Sequence, residues 1–190
     1  MYKRQDTTGS KSTALGALSL SNQNFSSATD SHNTAVGYSA GSNITTGTVN
    51  TVIGSLAGDA ITEGNNNVAV GYVALSGDTL GDRSVAIGRG TLQAQNFTSS
   101  TDTYNTAVGY GTGTAVTTGV ANTFIGGLAG DALTDADYNT VLGYNALTTD
   151  TLGSRSVAIG TSALQNQNFS SATDNYNCLL YTSDAADDAS

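Results

Sequence analysis

The sequence has no proline, a single cysteine and only 11% charged residues. The absence of proline suits a fold in which nearly every backbone N–H donates to a ladder, because proline has no N–H to donate. Cys178 has no second cysteine with which to form a disulfide or a thiolate metal site. Acidic residues outnumber basic ones by 15 to 6, which opposes binding to a nucleic-acid backbone. No apolar run approaches the roughly 20 residues needed to span a bilayer, so we expect no membrane insertion by this segment.

A long internal repeat is the strongest feature that is present. Nine glycines that each end a short apolar run are spaced by 21, 17, 17, 17, 21, 17, 17 and 17 residues, which makes a 72-residue unit. A composition rich in Gly, Asn, Ser and Thr suggests disorder by itself, but a fixed period of this length predicts a stacked repeat. The repeated glycines are Gly16, Gly37, Gly54, Gly71, Gly88, Gly109, Gly126, Gly143 and Gly160.

We interpret each repeat as one rung of an all-β parallel solenoid, and each rung begins with a strand that ends at the glycine. The residue before the glycine is aliphatic in all nine rungs, and the residue before that is Ala, Val or Phe. Both faces of the strand are therefore apolar, which is the pattern of a strand buried on both sides. A single flattened coil has only one interior. A monomer should therefore expose either the face of Val36 and Ile53 or the face of Ala35 and Val52.

Three other positions of the rung have expected structural roles. A small residue recurs three places after the glycine, as at Ala40, and we expect it in a second short strand. The four extra residues of the long spacing surround Phe25, Phe97 and Phe169, which we expect in a protruding loop whose Phe packs against the coil. Asn or Ser four places before the glycine should align into a ladder, each amide bonding its neighbours above and below. The ladder residues are Asn33, Asn50, Asn67, Ser84, Asn105, Asn122, Asn139 and Ser156.

The strand motif itself points to a family. Ser/Asn-(Val/Thr)-Ala-(Val/Ile)-Gly at residues 67–71, 84–88, 105–109 and 156–160 resembles the head repeats of YadA-like trimeric autotransporter adhesins, also called haemagglutinin-type head repeats. The resemblance covers nearly all of residues 6–177. It implies a left-handed parallel β-roll, a homotrimer, and attachment to a host surface protein or glycan. Units of 17 and 21 residues are longer than is common in that family, and similar long units occur in phage tail-fibre-like proteins. The implied location is therefore the cell surface, anchored in the outer membrane, or a virion tail fibre.

The repeat holds from residue 6 to residue 177 and then stops. After residue 177 the period requires Thr-Ala-Val-Gly-Tyr, but the chain continues Cys-Leu-Leu-Tyr-Thr. Residues 178–190, and residues 1–5 at the other end, resemble translated sequencing-adapter sequence. We therefore interpret residues 6–177 as the solenoid region, cut from a longer reading frame. We expect residues 178–190 to add no rung.

Residues capable of chemistry are few. His32, the only histidine, lies in a polar stretch typical of a solvated loop. Asp135 and Asp137 could contribute to a calcium site, but no neighbouring rung repeats them, which favours a solvated turn. We therefore assign no catalytic, cofactor-binding or metal-binding residue and expect no cofactor. Four tyrosines share the position after the glycine and are candidates for surface contact with a sugar or a protein, or for packing against the next turn: Tyr38, Tyr72, Tyr110 and Tyr144.

These patterns favour a non-enzymatic, structural or adhesive segment of a trimeric surface adhesin or phage tail fibre. An ice-binding β-solenoid is the alternative, and it needs a flat array of threonines. Thr34, Thr51 and Thr106 approach such an array, but valines such as Val68 and Val85 interrupt it on a strand that we expect to be buried. An enzyme is disfavoured because no carboxylate pair recurs near a groove.

Overall fold

Sixteen short strands account for the regular structure of residues 8–180, the part of the chain that the computed structural model describes. In chain order they are β1 (Gly9–Ser10), β2 (Thr13–Leu15), β3 (Thr29–Asp30), β4 (Thr34–Val36), β5 (Thr51–Ile53), β6 (Val68–Val70), β7 (Gly81–Asp82), β8 (Val85–Ile87), β9 (Thr101–Asp102), β10 (Thr106–Val108), β11 (Thr123–Ile125), β12 (Thr140–Leu142), β13 (Gly153–Ser154), β14 (Val157–Ile159), β15 (Thr173–Asp174) and β16 (Cys178–Leu180).

The ten three-residue strands form one parallel sheet in which each strand pairs with the next three-residue strand along the chain. The register repeats the sequence period, since Ala35 pairs with Val52 and Val52 pairs with Ala69. The two-residue strands pair separately as β1–β3, β7–β9 and β13–β15, across the long inserts. The predicted all-β parallel solenoid is confirmed, with rungs of about 17 residues and about ten turns rather than nine.

The tenth turn comes from Cys178–Leu180, which pairs in register with Val157–Ile159. The prediction that residues 178–190 add no rung is therefore wrong for these three residues. All three residues are exposed, yet they extend the sheet. The physical reason is that a parallel edge offers unpaired N–H and C=O groups to any strand-forming segment. Residues 1–5 and 181–190, the remainder of the two adapter-like ends, lie outside the described residues.

The repeated glycines stack above one another along the coil, as predicted. Gly126 has a φ of +128°, and a Cβ added to it would lie 2.6 Å from the carbonyl oxygen of Gly143 in the next rung. The N–H of Gly126 donates to the carbonyl of Val108 in the preceding rung at 2.9 Å. Successive rungs can therefore approach this closely only where no side chain is present.

The ladder asparagines are buried and connect successive rungs through the backbone. Oδ1 of Asn50 accepts from the N–H of Asn67 at 2.9 Å, and Nδ2 of Asn50 donates to the carbonyl of Gly64 at 2.8 Å. The same two bonds recur at the other ladder asparagines, Asn33, Asn67, Asn105, Asn122 and Asn139. The expected amide-to-amide ladder is wrong in this detail. Each amide instead satisfies one backbone donor and one backbone acceptor, which must be paired when they are buried.

Serine replaces asparagine where the long insert begins, and a glutamine of the insert supplies the amide there. Nε2 of Gln95 donates to Oγ of Ser84 at 2.7 Å and to Oδ2 of Asp78 at 2.6 Å. Its Oε1 accepts from the amide of Asn105 at 2.9 Å. All four side chains are buried, and Gln167 makes the equivalent contacts one 72-residue unit later. The insert is thus tied into the ladder by a residue type that sequence analysis did not single out.

The insert phenylalanines pack back against the coil. Phe25 and Phe97 are 7% and 6% exposed, and the N–H of Phe97 donates to Oδ1 of Asp78 at 3.3 Å. The expected packing of the insert Phe is confirmed for these two residues. Phe169, in the last insert, is half-buried.

The interior of the coil is narrow, and the strand residues that face it are mostly alanine. One larger aliphatic side chain also fills the interior in each of several rungs, at one of two positions. In rungs with a second glycine four places after the repeated one, this side chain lies seven places after the repeated glycine. In the other rungs it lies at the fourth place itself. A Cβ on Gly41, for example, would lie 2.8 Å from Ile44. These buried side chains are Ile44, Ile61, Val116 and Leu133 in the first class of rung and Leu20, Leu75, Leu92 and Leu147 in the second.

The segment that follows the glycine is a turn. Ala40 is fully buried, which agrees with the expected need for a small residue. The predicted second strand is wrong, however, because residues 38–43 form consecutive turns. Ser39 and Gly41 have φ values of +53° and +56°, which an extended strand does not contain.

We expect Gly126→Ala to destabilise the solenoid strongly, and the adjacent Gly127→Ala to change it little. At Gly126 the new Cβ meets a carbonyl oxygen and a positive φ, which together cost about 2 kcal/mol or more. At Gly127 the nearest atoms to an added Cβ lie 3.5 Å or more away. Urea denaturation, monitored by far-UV circular dichroism, measures the unfolding midpoints of both variants. Equal midpoints would contradict the stacking account of the glycine column.

A second prediction concerns the junction between insert and ladder. Gln95→Ala leaves the Asp78 carboxylate, the Ser84 hydroxyl and the Asn105 amide short of a partner, at about 1–3 kcal/mol for each buried group that stays unsatisfied. Gln93→Ala, at an exposed position of the same insert, should stay within about 0.5 kcal/mol of the unsubstituted chain. Thermal unfolding compares the two variants. A Gln95→Ala midpoint as high as that of Gln93→Ala would show that the glutamine bridge is dispensable.

Candidate functional site

One face of the ten-stranded sheet points away from the interior and is apolar along its length. The inward residues Ala35 and Val52 have no exposed surface, whereas the outward residues Ile53, Ile125 and Leu142 are 38%, 40% and 43% exposed. The prediction that a single chain exposes one of its two apolar columns is confirmed. The exposed one is called the aliphatic column here, and it consists of Leu15, Val36, Ile53, Val70, Ile87, Val108, Ile125, Leu142 and Ile159.

A second column, the threonine column, lies on the same outward face, two residues earlier on each strand. Most of its members are half-buried, and none is fully buried. A single chain therefore leaves this side of the strand open, as expected of a monomer, and the expected burial on both sides requires a partner. Because neighbouring strands lie about 4.8 Å apart, the column is a regular array of hydroxyl and methyl groups. Its members are Thr13, Thr34, Thr51, Val68, Val85, Thr106, Thr123, Thr140 and Val157.

Aromatic side chains border this face on both sides. On the side after the glycine, the four predicted contact tyrosines are all 48–58% exposed; they are Tyr38, Tyr72, Tyr110 and Tyr144, the tyrosine column. The covered side of the Tyr144 ring lies next to Gly127 of the preceding rung. On the other side, one place before the ladder, Tyr104, Tyr138 and Tyr176 are 52–69% exposed. Sequence analysis missed this second set. The signal that would have found it is their shared rung position.

Arginines lie between tyrosines in both columns. The guanidinium carbon of Arg89 is 5.7 Å from the ring centre of Tyr72 and 5.5 Å from that of Tyr110. Arg155 is placed in the same way, at 4.7 Å from Tyr138 and 5.8 Å from Tyr176. These distances are within the range of about 6 Å over which a cation interacts with an aromatic face.

Ion pairs distinguish the arginines beside the ladder from Arg89 in the tyrosine column. Each basic residue beside the ladder contacts an aspartate that follows the insert, in the pairs Lys11–Asp30, Arg83–Asp102 and Arg155–Asp174. The carboxylate of Asp102 raises the pKa of Arg83 above its ordinary value. These side chains are about half exposed, so each pair contributes little to stability. Arg89 is the one Lys or Arg within residues 8–180 that has no carboxylate partner.

Two half-buried aspartates lie elsewhere on the coil, on the turn after the strand. Asp59 and Asp131 occupy equivalent places in successive 72-residue units. Oδ1 of each is buried without a hydrogen-bond partner among the described residues, and burial raises the pKa of both carboxyls. Residues 8–180 contain no cluster of three or more His, Cys, Asp or Glu side chains suited to a metal ion.

The other side chains that sequence analysis considered for catalysis or metal binding are the only histidine of the sequence and two aspartates. His32 is exposed, next to the ladder. Oδ1 of Asp135 accepts from the hydroxyl of Thr118 at 2.5 Å, and Oδ1 of Asp137 accepts from the N–H of Val120 at 2.7 Å. Both aspartates therefore connect neighbouring rungs.

The outward face and its two borders are thus the candidate site, and their geometry must carry the functional inference. No family model, curated protein or solved structure matches the chain. Within the described part of the chain there is no helix with the length and apolarity needed to cross a membrane.

We expect Asp59→Asn to stabilise the solenoid at neutral pH and to weaken its pH dependence. Because burial raises the folded-state pKa, Asp59 favours folding most when it is protonated, below its ordinary pKa of 3.8. This contribution is lost as the pH rises through the folded-state value, whereas an amide stays neutral throughout. Thermal melting from acid to neutral pH compares the variant with the unsubstituted chain, and Asp131→Asn serves as an independent repeat. A lower midpoint for both variants at neutral pH would contradict the explanation by burial.

Proposed function

We propose that this chain is a non-enzymatic, structural and adhesive segment of a trimeric surface adhesin or phage tail fibre, through which the bearer attaches to a host cell or matrix surface. The observation that carries the proposal is the outward apolar face of the ten-stranded sheet. The face supports a place in a fibre, because copies of a rod can bury such a face against one another.

The face is too long to stay in water on a single chain. At about 4.8 Å per strand, ten strands make a stripe about 43 Å long, and Leu15, Ile87 and Leu142 on it are 52%, 38% and 43% exposed. Soluble monomers rarely expose contiguous apolar patches above a few hundred Å². Neither the aliphatic nor the threonine column contains a charged residue, and depletion of charge is typical of the core of an interface.

Copies of the same chain are the simplest cover for this stripe. Closed cyclic symmetry buries the same face on every copy and leaves none free. Three copies are proposed because the strand motif resembles trimeric adhesin head repeats. Stability that adds rung by rung suits a long rod of this kind, and the polar sides rich in Asn, Ser and Thr would remain outside for contact with a host.

An ice-binding solenoid is the second candidate, and one observation favours it. The threonine column lies on the exposed face rather than in the interior, with a regular spacing between rungs. Val68, Val85 and Val157 still interrupt the array. The two functions are distinguished by what covers the face, since an ice-binding chain keeps it free whereas an assembling chain buries it.

Substitution on the aliphatic column tests the assembly. We expect the full chain to sediment as a trimer at micromolar concentration, and Ile87→Lys/Ile125→Lys to sediment as a monomer with an unchanged circular dichroism spectrum. The reason is that a buried interface does not accept unpaired charge, while an outward Lys leaves the ladder intact. Thr46→Lys/Gln93→Lys adds the same charge at exposed positions away from the face and should remain trimeric.

A stable monomer of the unsubstituted chain at micromolar concentration would contradict the proposed assembly. The same sample would then be assayed for inhibition of ice recrystallisation. Inhibition that is lost in Thr51→Leu/Thr123→Leu would establish the second candidate in place of the first.

A further inference from the structure

We propose that Tyr72, Arg89 and Tyr110 form a binding site for a carboxylate-bearing sugar, such as a sialic acid or uronic acid residue. The inference rests on the proposed adhesive function, for which it names a ligand class. It concerns the tyrosine column at the border of the apolar face, and not the face itself.

The three side chains come from three consecutive rungs that the backbone holds together. The N–H of Gly90 donates to the carbonyl of Tyr72 at 3.0 Å, and the N–H of Gly111 donates to the carbonyl of Arg89 at 2.9 Å. The guanidinium lies between the two rings, at 5.7 and 5.5 Å from their centres, and its Nη1 donates to the hydroxyl of Tyr110 at 3.1 Å. Arg89 is therefore positioned before any ligand arrives.

The charge of Arg89 is what indicates an acidic ligand. The chain carries a net charge of −9, and every other Lys and Arg within residues 8–180 is already paired with an aspartate. The aliphatic, threonine and tyrosine columns around Arg89 contain no Asp or Glu. A guanidinium has five N–H donors, and the only protein acceptor that Arg89 uses among the described residues is one tyrosine hydroxyl.

The shape of the site indicates a sugar. A planar guanidinium binds a carboxylate through two parallel hydrogen bonds. The rings of Tyr72 and Tyr110 are 48% and 58% exposed and are two rungs apart, about 9.6 Å at the strand spacing. Each ring offers an apolar face beside a hydroxyl. An open platform of this kind suits the C–H face and the hydroxyls of the sugars on either side of an acidic residue.

The site remains accessible in the proposed assembly. The tyrosine column lies one place beyond the strand, at the edge of the sheet face, and its members are more exposed than Ile53, Ile87 and Ile125. Covering the aliphatic column therefore leaves the outer sides of Tyr72, Arg89 and Tyr110 at the rim.

Ligand-observed NMR titration of the full chain tests the site. The probes are the methyl glycoside of N-acetylneuraminic acid, a galacturonic acid oligosaccharide, and a neutral galactose oligosaccharide of equal length. We expect saturable binding of at least one acidic probe and none of the neutral one. Arg89→Ala should raise the Kd about tenfold or more, because a charge-assisted hydrogen bond is lost, and Arg89→Lys should restore only part of it. Whichever acidic probe binds more tightly identifies the source of the sugar.

Arg155→Ala is the matched control, because Arg155 also lies between two tyrosines but is paired with Asp174 at 3.0 Å. It should leave the Kd unchanged. Equal binding of the neutral oligosaccharide, an equal loss in Arg155→Ala, or no saturable binding of either acidic probe would each overturn the inference. Sedimentation of the same samples separates this result from the proposed function: a trimer that binds neither probe retains the assembly and loses only the sugar site.

Discussion

Close contact between stacked glycines is the constraint on which the rest of this solenoid depends. At Gly126, as at the other repeated glycines from Gly16 to Gly143, a Cβ would collide with the carbonyl of the next rung. The strand before each glycine can therefore stack in register, with Ala107 beside Phe124 and Phe124 beside Val141. Register in turn fixes which residues face inward, because side chains alternate along a strand. The apolar outward face is a consequence of the same register, since every rung repeats it.

The 72-residue unit accommodates a long insert without breaking the buried hydrogen bonding. Asparagine amides satisfy the backbone between ordinary rungs. Across the insert, the Gln95 amide bonds instead to the buried side chains of Ser84 and Asn105. The aliphatic filling of the interior shifts at the same places, from the position of Ile61 to that of Leu75. These compensations lie inside the coil. The outward positions are free of them, and their aliphatic, tyrosine and arginine residues are the basis of the proposed contacts with other molecules.

The period of the sequence predicted the parallel solenoid, the glycine column and the buried asparagines, because these depend only on which residues recur. It did not predict which apolar face is outward. Val52 and Ile53 are equally apolar, and only the direction in which the chain turns after the strand decides which of them faces the interior. It also predicted a second strand where the chain turns. Residues such as Leu75 have a φ of +52° there, and a non-glycine residue does not indicate a positive φ in the sequence. Gln95 was missed because its function depends on the distant Ser84 and Asn105. The added turn at Cys178–Leu180 was missed because an open edge pairs without regard to the repeat.

The central claim is that copies of this chain cover the aliphatic column. Hydroxyl-radical footprinting across a range of protein concentrations tests it at the level of single residues, with Leu133 as the buried reference and Tyr104 as the exposed one. The account predicts that the oxidation rates of Ile125 and Leu142 fall towards that of Leu133 as the concentration rises, while the rate of Tyr104 falls much less. Rates for Ile125 and Leu142 that do not change with concentration, in a chain that remains folded, would contradict it.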